Sequence, residues 1–296
     1  VKEKGGSSVK VLVTGAQGQL GRDLVACSQG MDHVKGYSRQ ELDITQLHQV
    51  REQVQAYQPD VIIHAAAYTN VDQAESEPDR AYAVNAWGTR NVALAAQEVG
   101  AKMIYISSDY VFSGQGSEPY VEFDRPAPKS IYGKSKLAGE ELTRCLCHKH
   151  FIVRTSWVFG KYGHNFVKTM VKLGQKQTEI SVVSDQIGSP TYTVDLAIFL
   201  MQVAKSECYG TYHVSNQGSC SWYEFAETIF AEYQLNVKVI PITTKDFPRP
   251  APRPAYSVMD HMAIRLHDFQ LLRHWRDALH AYRLDCNEAK EESYDS

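Results

Sequence analysis

The chain has 296 residues, 43% of them hydrophobic and 22% charged, with a formal net charge of −3. That composition fits an ordinary soluble globular protein of one large or two modest domains. The charge forms no basic stripe, which argues against nucleic acid or an anionic membrane surface as a partner. No run reaches the ~18–20 apolar residues of a membrane helix.

The first half alternates strands and helices. Residues 9–14 form a short, β-branched apolar run, a buried parallel strand. A glycine loop follows, then a helix to about Ser28. Residues 33–37 predict strand two, and 44–57 have helical spacing that stops at Gln58-Pro59. Residues 60–64 predict strand three, 78–99 a long helix ending at Gly100, and 102–107 strand four. A Gly/Pro-rich loop spans 113–128, a helix carries Tyr132, and 151–155 predict strand five. This order predicts an α/β fold of Rossmann type, a doubly wound parallel sheet with helices on both faces.

Beyond Trp157 the regularity weakens. Helical spacing covers 165–174, 195–205 and 222–233, strands are expected at 179–183, 211–214 and 237–240, and 241–254 is proline-rich and irregular. The expected division is a dinucleotide-binding domain over 9–160, to which segments such as 193–214 return. A smaller mixed α/β substrate lobe covers 161–285. Residues 1–8 lack a signal-peptide apolar core and read as a flexible leader. The acidic stretch 287–296 reads as a second flexible end.

The six cysteines are scattered. Cys145 and Cys147, with His148 and His150, come nearest to a metal-ligand set. On a continuation of the Tyr132 helix the two thiols cannot face one side, so no metal is expected. Free thiols fit a cytoplasmic protein.

The loop Thr14-Gly-Ala-Gln-Gly-Gln-Leu-Gly21 sits between a strand and a helix, the context a dinucleotide fingerprint requires. Gly15 suits the tight turn, Gly18 lets backbone approach a pyrophosphate, and Gly21 lets helix pack on strand. Gln17, Gln19 and Leu20 line the same helix N-terminus, whose free N–H groups favour phosphate. At the end of strand two, Ser38 and Arg39 favour the extra phosphate of NADPH. Glu41 and Asp43 follow closely and keep NADH open.

Tyr132 and Lys136 are four residues apart and share one helix face. A phenol with a reference pKa of about 10 is a poor proton carrier at neutral pH. A neighbouring ammonium would pull that pKa toward the working range. Strand four ends in Ser107-Ser108-Asp109-Tyr110, at the carboxyl edge where parallel sheets bind ligands. A Ser108 hydroxyl there can meet a substrate oxygen and complete a Ser/Tyr/Lys set.

These motifs resemble the extended short-chain dehydrogenase/reductase family over about residues 9–285. More narrowly, the chain resembles the dTDP-4-dehydrorhamnose reductases. The segments that carry this are His64-Ala-Ala-Ala-Tyr-Thr-Asn-Val-Asp, Ser107-Ser-Asp-Tyr-Val-Phe, Arg154-Thr-Ser-Trp-Val-Phe-Gly and Asp185-Gln-Ile-Gly-Ser-Pro-Thr-Tyr. The resemblance implies NADPH-dependent reduction of the 4-keto group of dTDP-4-dehydro-L-rhamnose to dTDP-L-rhamnose, for rhamnose-containing polysaccharide. Tyr132 would donate the proton, and Ser108, where the family more often has Thr, would orient the oxygen. Lys136 would hold the nicotinamide ribose. Asp43 and Ile44 would lie near the adenine, and Ala65, Ala66 and Ala67 would flank the cofactor. Asn85 would hold a water in the proton path. Val71, Asp109, Trp157, Gln186, Pro190, Thr191 and Arg253 would serve the nucleotide-sugar side, with Trp157 as a lobe-interface core residue the alternative. A homodimer through the long helices is a further expectation.

Rival readings on the same fold stay open. A dehydratase needs an Asp-Glu pair after the strand-four hydroxyl, and this chain has Asp109-Tyr110. An epimerase would retain NAD. A non-catalytic subunit resembling the methionine adenosyltransferase regulatory β subunit would bind NADP without turnover.

Overall fold

The computed structural model describes residues 9–27 and 33–292, with side chains as far as Cys286. The expected leader, Ser28 and the last four residues lie outside the described residues. In chain order the first half runs β1 (Lys10–Thr14), α1 (Gln19–Cys27), β2 (His33–Tyr37), α2 (Leu47–Tyr57) and β3 (Val61–His64). It continues with α3 (Val71–Ser76), α4 (Pro78–Tyr82), α5 (Thr89–Val99), β4 (Lys102–Ser108), α6 (Ile131–Leu146) and β5 (His150–Thr155). The second half contributes β6 (Val158–Phe159), α7 (Phe166–Gly174), β7 (Glu179–Val183), β8 (Ile187–Gly188), β9 (Thr191–Tyr192) and α8 (Thr193–Lys205). It ends with β10 (Gly210–His213), β11 (Cys220–Ser221), α9 (Trp222–Glu232), β12 (Lys238–Ile242), α10 (Met262–Leu266) and α11 (Trp275–Glu292).

Alternation along each central strand divides the core. Val11 and Val13 of β1 pack with Val61, Ile63, Leu196, Phe199 and Leu200 on one face of the sheet. Leu12 turns to the other face and joins Val50, Ile62, Val92, Met103 and Ile152. The six-stranded sheet has the order β10-β5-β4-β3-β1-β2, and its pairings are all parallel. After β2 the chain crosses back to the opposite side of β1 to form β3. That reversal opens a crevice at the carboxyl ends of β1 and β3, where open α/β sheets take ligands.

A third cluster, including Phe159, Val167, Ile180, Phe225, Ile229 and Trp275, builds the smaller lobe. Within it β7 and β12 pair in parallel, apart from the main sheet.

Several boundaries differ from the sequence reading. The expected helix over 78–99 is interrupted: Ala83–Gly88 winds as a π-helix between α4 and α5. The helix expected from Ile44 starts at Leu47, because the Asp43 carboxylate accepts from the Thr45 N–H and hydroxyl and holds a turn there. Helix α6 ends at Leu146, so Cys147 is an extended, buried cap residue rather than part of the helix. The irregular stretch from 241 includes the last residues of β12. Helix α11 continues through Glu292 into the stretch expected to be a flexible end.

Candidate active site

The glycine loop is shaped by what a side chain would strike. Gly15 has φ 71°, and a Cβ there would lie 2.7 Å from the Ala66 nitrogen. A Cβ at Gly21 would lie 2.2 Å from the Gly15 carbonyl oxygen. The loop is thus pressed against the end of β3 and the start of α1, leaving the N-terminus of α1 open to a phosphate group. The His64 ring bridges the end of β1 and the start of α5, 2.7 Å from Thr14 Oγ1 and 3.1 Å from Thr89 Oγ1. Burial drops its pKa to about 3, so it stays neutral.

A cleft of about 940 Å³ runs from this loop to the carboxyl ends of β4 and β5. Gly15, Gln17, Gly18, Gln19, Leu20 and Gly21 line one end, with Arg39, Asp43 and Ile44 beside them. Ala65, Ala66, Ala67 and Val71 form a side wall, and Ser108, Asp109, Tyr132, Lys136 and Trp157 stand at the far end. Gln186, Pro190, Thr191 and Arg253 do not line this cleft. The Gln186 amide donates to Thr244 Oγ1 at 3.0 Å, the Pro190 carbonyl accepts from Asn216, and Thr191 is buried in the β6–β9 pair. Arg253 pairs with Asp72.

The Glu41 carboxylate accepts from the Ser38 N–H at 2.7 Å and closes a turn. Arg39 is exposed on the rim, and no carboxylate pairs with it among the described residues. That free guanidinium suits a 2′-phosphate.

Helix α6 starts at Ser130, whose hydroxyl accepts from the Gly133 N–H. Its buried face presents Tyr132, Lys136 and Glu140 at successive four-residue steps. Tyr132 lines the cleft together with Ser108, and its ring meets the edge of Tyr110 at 5.5 Å. Lys136 Nζ donates to the Ile106 carbonyl at 2.6 Å and lies 4.2 Å from the Tyr105 ring centre. Burial lowers the lysine to about 7, with the Glu140 charge opposing.

The expectation that Lys136 lowers the Tyr132 pKa needs correction. Burial raises Tyr132 to about 12, and the neighbouring Ser108 hydroxyl only partly offsets this. The ammonium is turned toward Ile106 and is itself disfavoured by the same burial. Tyr132 therefore stands protonated, as a proton donor must.

Ser108 Oγ donates to Asp109 Oδ1 at 2.8 Å and accepts from the Tyr110 N–H at 3.2 Å. Burial raises Asp109 to about 6 although the Ser108 hydroxyl donates to it. Asp109 Oδ2 and Thr155 Oγ1 are buried without a partner, and both residues line the cleft. Polar atoms of this kind are what a bound ligand satisfies. The glycine cradle, the open helix end and these orphan atoms fit a dinucleotide and a polar substrate.

Asn85, expected on a proton path, is buried and is not among the residues that line the cleft. Its side chain accepts from the Tyr68 N–H at 2.8 Å and donates to the Tyr68 carbonyl and to Ser135. Trp157 stands where the lobe meets the cleft. Its ring stacks on Trp222 at 3.5 Å, and it lines the cleft with a left-handed backbone, φ 45°. Such a conformation is costly for a bulky residue and is held by the packing around it.

The sequence reading missed Glu140, which binds Ser107 at 2.7 Å and Arg154 at 2.9 and 2.8 Å beneath the site. The four-residue step continuing from Tyr132 and Lys136 was the available signal. Thr155 and Ser156 were also missed, although the strand-end rule that selected Ser108 applies equally at β5.

The model of the RmlD substrate binding domain matches residues 9–286. A spore coat polysaccharide biosynthesis protein, SpsK, of Bacillus subtilis is 48% identical over 274 residues, covering 92% of this chain and 96% of the relative. A dTDP-4-dehydrorhamnose reductase of Aggregatibacter actinomycetemcomitans is 44% identical, covering 85% of this chain and 90% of the relative. The crystal structure of dTDP-4-dehydrorhamnose reductase from Bacillus anthracis in complex with NADP superposes with a TM-score of 0.93 at 50% identity. It covers 94% of this chain and 100% of that one. With a family model spanning nearly its whole length and close relatives of the same kind, the chain belongs to the dTDP-4-dehydrorhamnose reductase family.

Proposed function

We infer that the chain reduces the 4-keto group of dTDP-4-dehydro-L-rhamnose with NADPH, yielding dTDP-L-rhamnose for polysaccharide synthesis. The observation that carries this reading is one cleft holding the glycine cradle at one end and Ser108, Tyr132 and Lys136 at the other. Bound NADPH supplies a hydride to the sugar carbonyl carbon. Tyr132 gives its proton to the carbonyl oxygen, and Ser108 orients that oxygen as charge develops. Lys136 holds the ribose, its ammonium fixed by the Ile106 carbonyl. Gly15, Gly18 and Gly21 with the α1 N-terminus take the pyrophosphate, and Arg39 takes the 2′-phosphate. Asp43 and Ile44 border the adenine. Val71, Asp109 and Trp157 face the sugar. The nucleotide diphosphate is a remote handle that keeps the ketone in place.

We assign the dinucleotide half to 9–160 together with 193–214, and the substrate lobe to the rest of 161–285. A cytoplasmic location fits six free thiols and a nucleotide-sugar substrate. A second copy of the chain is the partner we propose for the α4–α6 face. There Tyr82, Trp87, Leu142 and Cys145 line a groove of about 710 Å³, and Trp87 is 59% exposed. Two-fold pairing of such a face is the commonest route to a dimer.

The test mixes purified protein with NADPH and the keto sugar and follows reduced-nicotinamide absorbance. Ketone-dependent loss of signal with formation of dTDP-L-rhamnose is expected. No loss with either NADPH or NADH would refute the reductase reading.

A further inference from the structure

One carboxylate joins α6 to the ends of β4 and β5. Glu140 is fully buried, one four-residue step beyond Lys136. Its Oε1 accepts from Ser107 Oγ at 2.7 Å and from Arg154 Nε at 2.9 Å. Its Oε2 accepts from Arg154 Nη2 at 2.8 Å and from Arg144 Nη2 at 3.0 Å. Ser107 and Arg154 are register partners across the β4–β5 pair, and the next partners, Ser108 and Thr155, line the cleft. The clamp therefore closes one residue below Ser108, from the helix that carries Tyr132 and Lys136.

Arg154 is held from its other side as well. Its Nη1 lies 3.3 Å from His213 Nε2. His213 Nδ1 faces the Tyr120 and Asp260 carbonyl oxygens at 3.0 and 3.1 Å, so Nδ1 carries the ring proton and Nε2 accepts from Arg154. Burial keeps that imidazole neutral. Burial also pushes the Glu140 carboxyl up, but the Arg154 and Ser107 hydrogen bonds and the Arg154 and Arg144 charges outweigh it and hold the group below the usual carboxylate range. Glu140 is therefore ionised at neutral pH.

Its charge bears on Lys136. The two side chains share the buried face of α6 at a spacing that makes them neighbours. The groups around Lys136 on the other elements give it no counter-charge. Tyr132 on α6 and Tyr105 on β4 are protonated, and His64 on β3 is neutral. Arg154 on β5 is a like charge, and Asp109, after β4, is engaged with Ser108. Glu140 is the anion that counters the cost of burying the ammonium.

We propose that Glu140 is a positioning residue for the reaction: its buried carboxylate clamps α6 to the ends of β4 and β5 and keeps Lys136 a cation beside Tyr132. This rests on the reductase reading above. Glu140 lines no part of the cleft. It acts through Lys136, whose positive charge favours the negative charge that gathers on the sugar oxygen.

The experiment compares wild type with Glu140→Gln, Glu140→Asp and the double variant Glu140→Gln/Arg154→Met. Isotope-edited NMR follows the lysine Cε signals against pH without substrate, the Lys136 signal being the one that Lys136→Met removes. Steady-state assays give kcat against pH. The wild-type Lys136 midpoint is expected at about 7. Glu140→Gln should lower it by about one pH unit. The alkaline limb of kcat should move with it, so the loss is about tenfold at about pH 8 and fades toward about pH 5.5. Glu140→Asp keeps the charge and should return the midpoint to its wild-type place, with kcat within about threefold. Glu140→Gln strands the buried Arg154 charge and lowers stability. The double variant removes both charges and should regain thermal stability while its midpoint and kcat limb stay displaced. Should Glu140→Gln fail to fold, the double variant carries the same two readouts. An unmoved Lys136 midpoint, a kcat loss equal at every pH, or wild-type kcat in the restabilised double variant would reduce Glu140 to a structural role and overturn the proposal. Displaced midpoints in a protein that turns over no keto sugar would instead sink the reductase reading and leave the coupling of Glu140 to Lys136 standing.

Discussion

Burial decides the protonation of the residues at the chemical end of the cleft. Tyr132 is raised to about 12 and so carries its proton across the physiological range. Tyr132→Phe removes that proton and little volume. The variant should fold and bind NADPH while kcat falls by about 10²- to 10⁴-fold, and turnover near wild type in a stopped-flow assay would discard the donor role. Asp109 is the second case. Burial raises it to about 6, above its ordinary 3.8, so its contribution to stability is fully present below the ordinary value and is lost as pH rises through about 6. Asp109→Asn should therefore stabilise the fold at about pH 8 by on the order of 2 kcal/mol, and the gain should fade toward about pH 4. Thermal unfolding across that range measures it, and a gain independent of pH would show that charge burial is not the cause. The Ser108, Tyr132 and Lys136 set was legible in the sequence because residue type and spacing carry it. The direction of the Tyr132 shift was not, since it depends on how completely folding removes water.

Among the elements, α6 carries the site because one face is buried from Gly133 to Thr143, with Tyr132 at its open end. Tyr132, Lys136 and Glu140 occupy successive steps of that face, with Gly139 beside them. A Cβ on Gly139 would lie 2.3 Å from Tyr105 Oη and 2.4 Å from the Asn85 carbonyl oxygen. Gly139→Ala must push α6 away from β4 and from the π-helical turn that carries Asn85. We expect a loss of about 1–3 kcal/mol in denaturant unfolding, accompanied by reduced turnover. A variant as stable as wild type would mean that this contact is easily relaxed. The π turn itself escaped the sequence reading. Residues 78–99 keep an apolar spacing that an ordinary helix also satisfies. The widened turn is set by contacts made elsewhere: Asn85 binding the Tyr68 backbone, and Ile44 filling the space at Gly88.

Across the whole molecule, the cleft exists because the chain reverses direction between β2 and β3 while the smaller lobe brings Trp157 to its edge. The α4–α6 face meets the cleft at Ala83 and leaves Trp87 largely exposed. Trp87→Glu should shift the protein from dimer to monomer in sedimentation velocity, with turnover reduced no more than about twofold. A wild type that sediments as a monomer at micromolar concentration would remove the dimer proposal.

The sequence by itself determined what is local and periodic. The parallel α/β order follows from alternating apolar runs, the glycine loop from its spacing, and the pairing of Tyr132 with Lys136 from one helical step. Tertiary structure alone decided what depends on distant partners. The Asp72 tether to Arg249 and Arg253, the Glu140–Arg154 support and the Trp157–Trp222 stack join residues that no periodicity relates. The protonation states belong with them, because desolvation acts on a group only once the rest of the chain has closed around it.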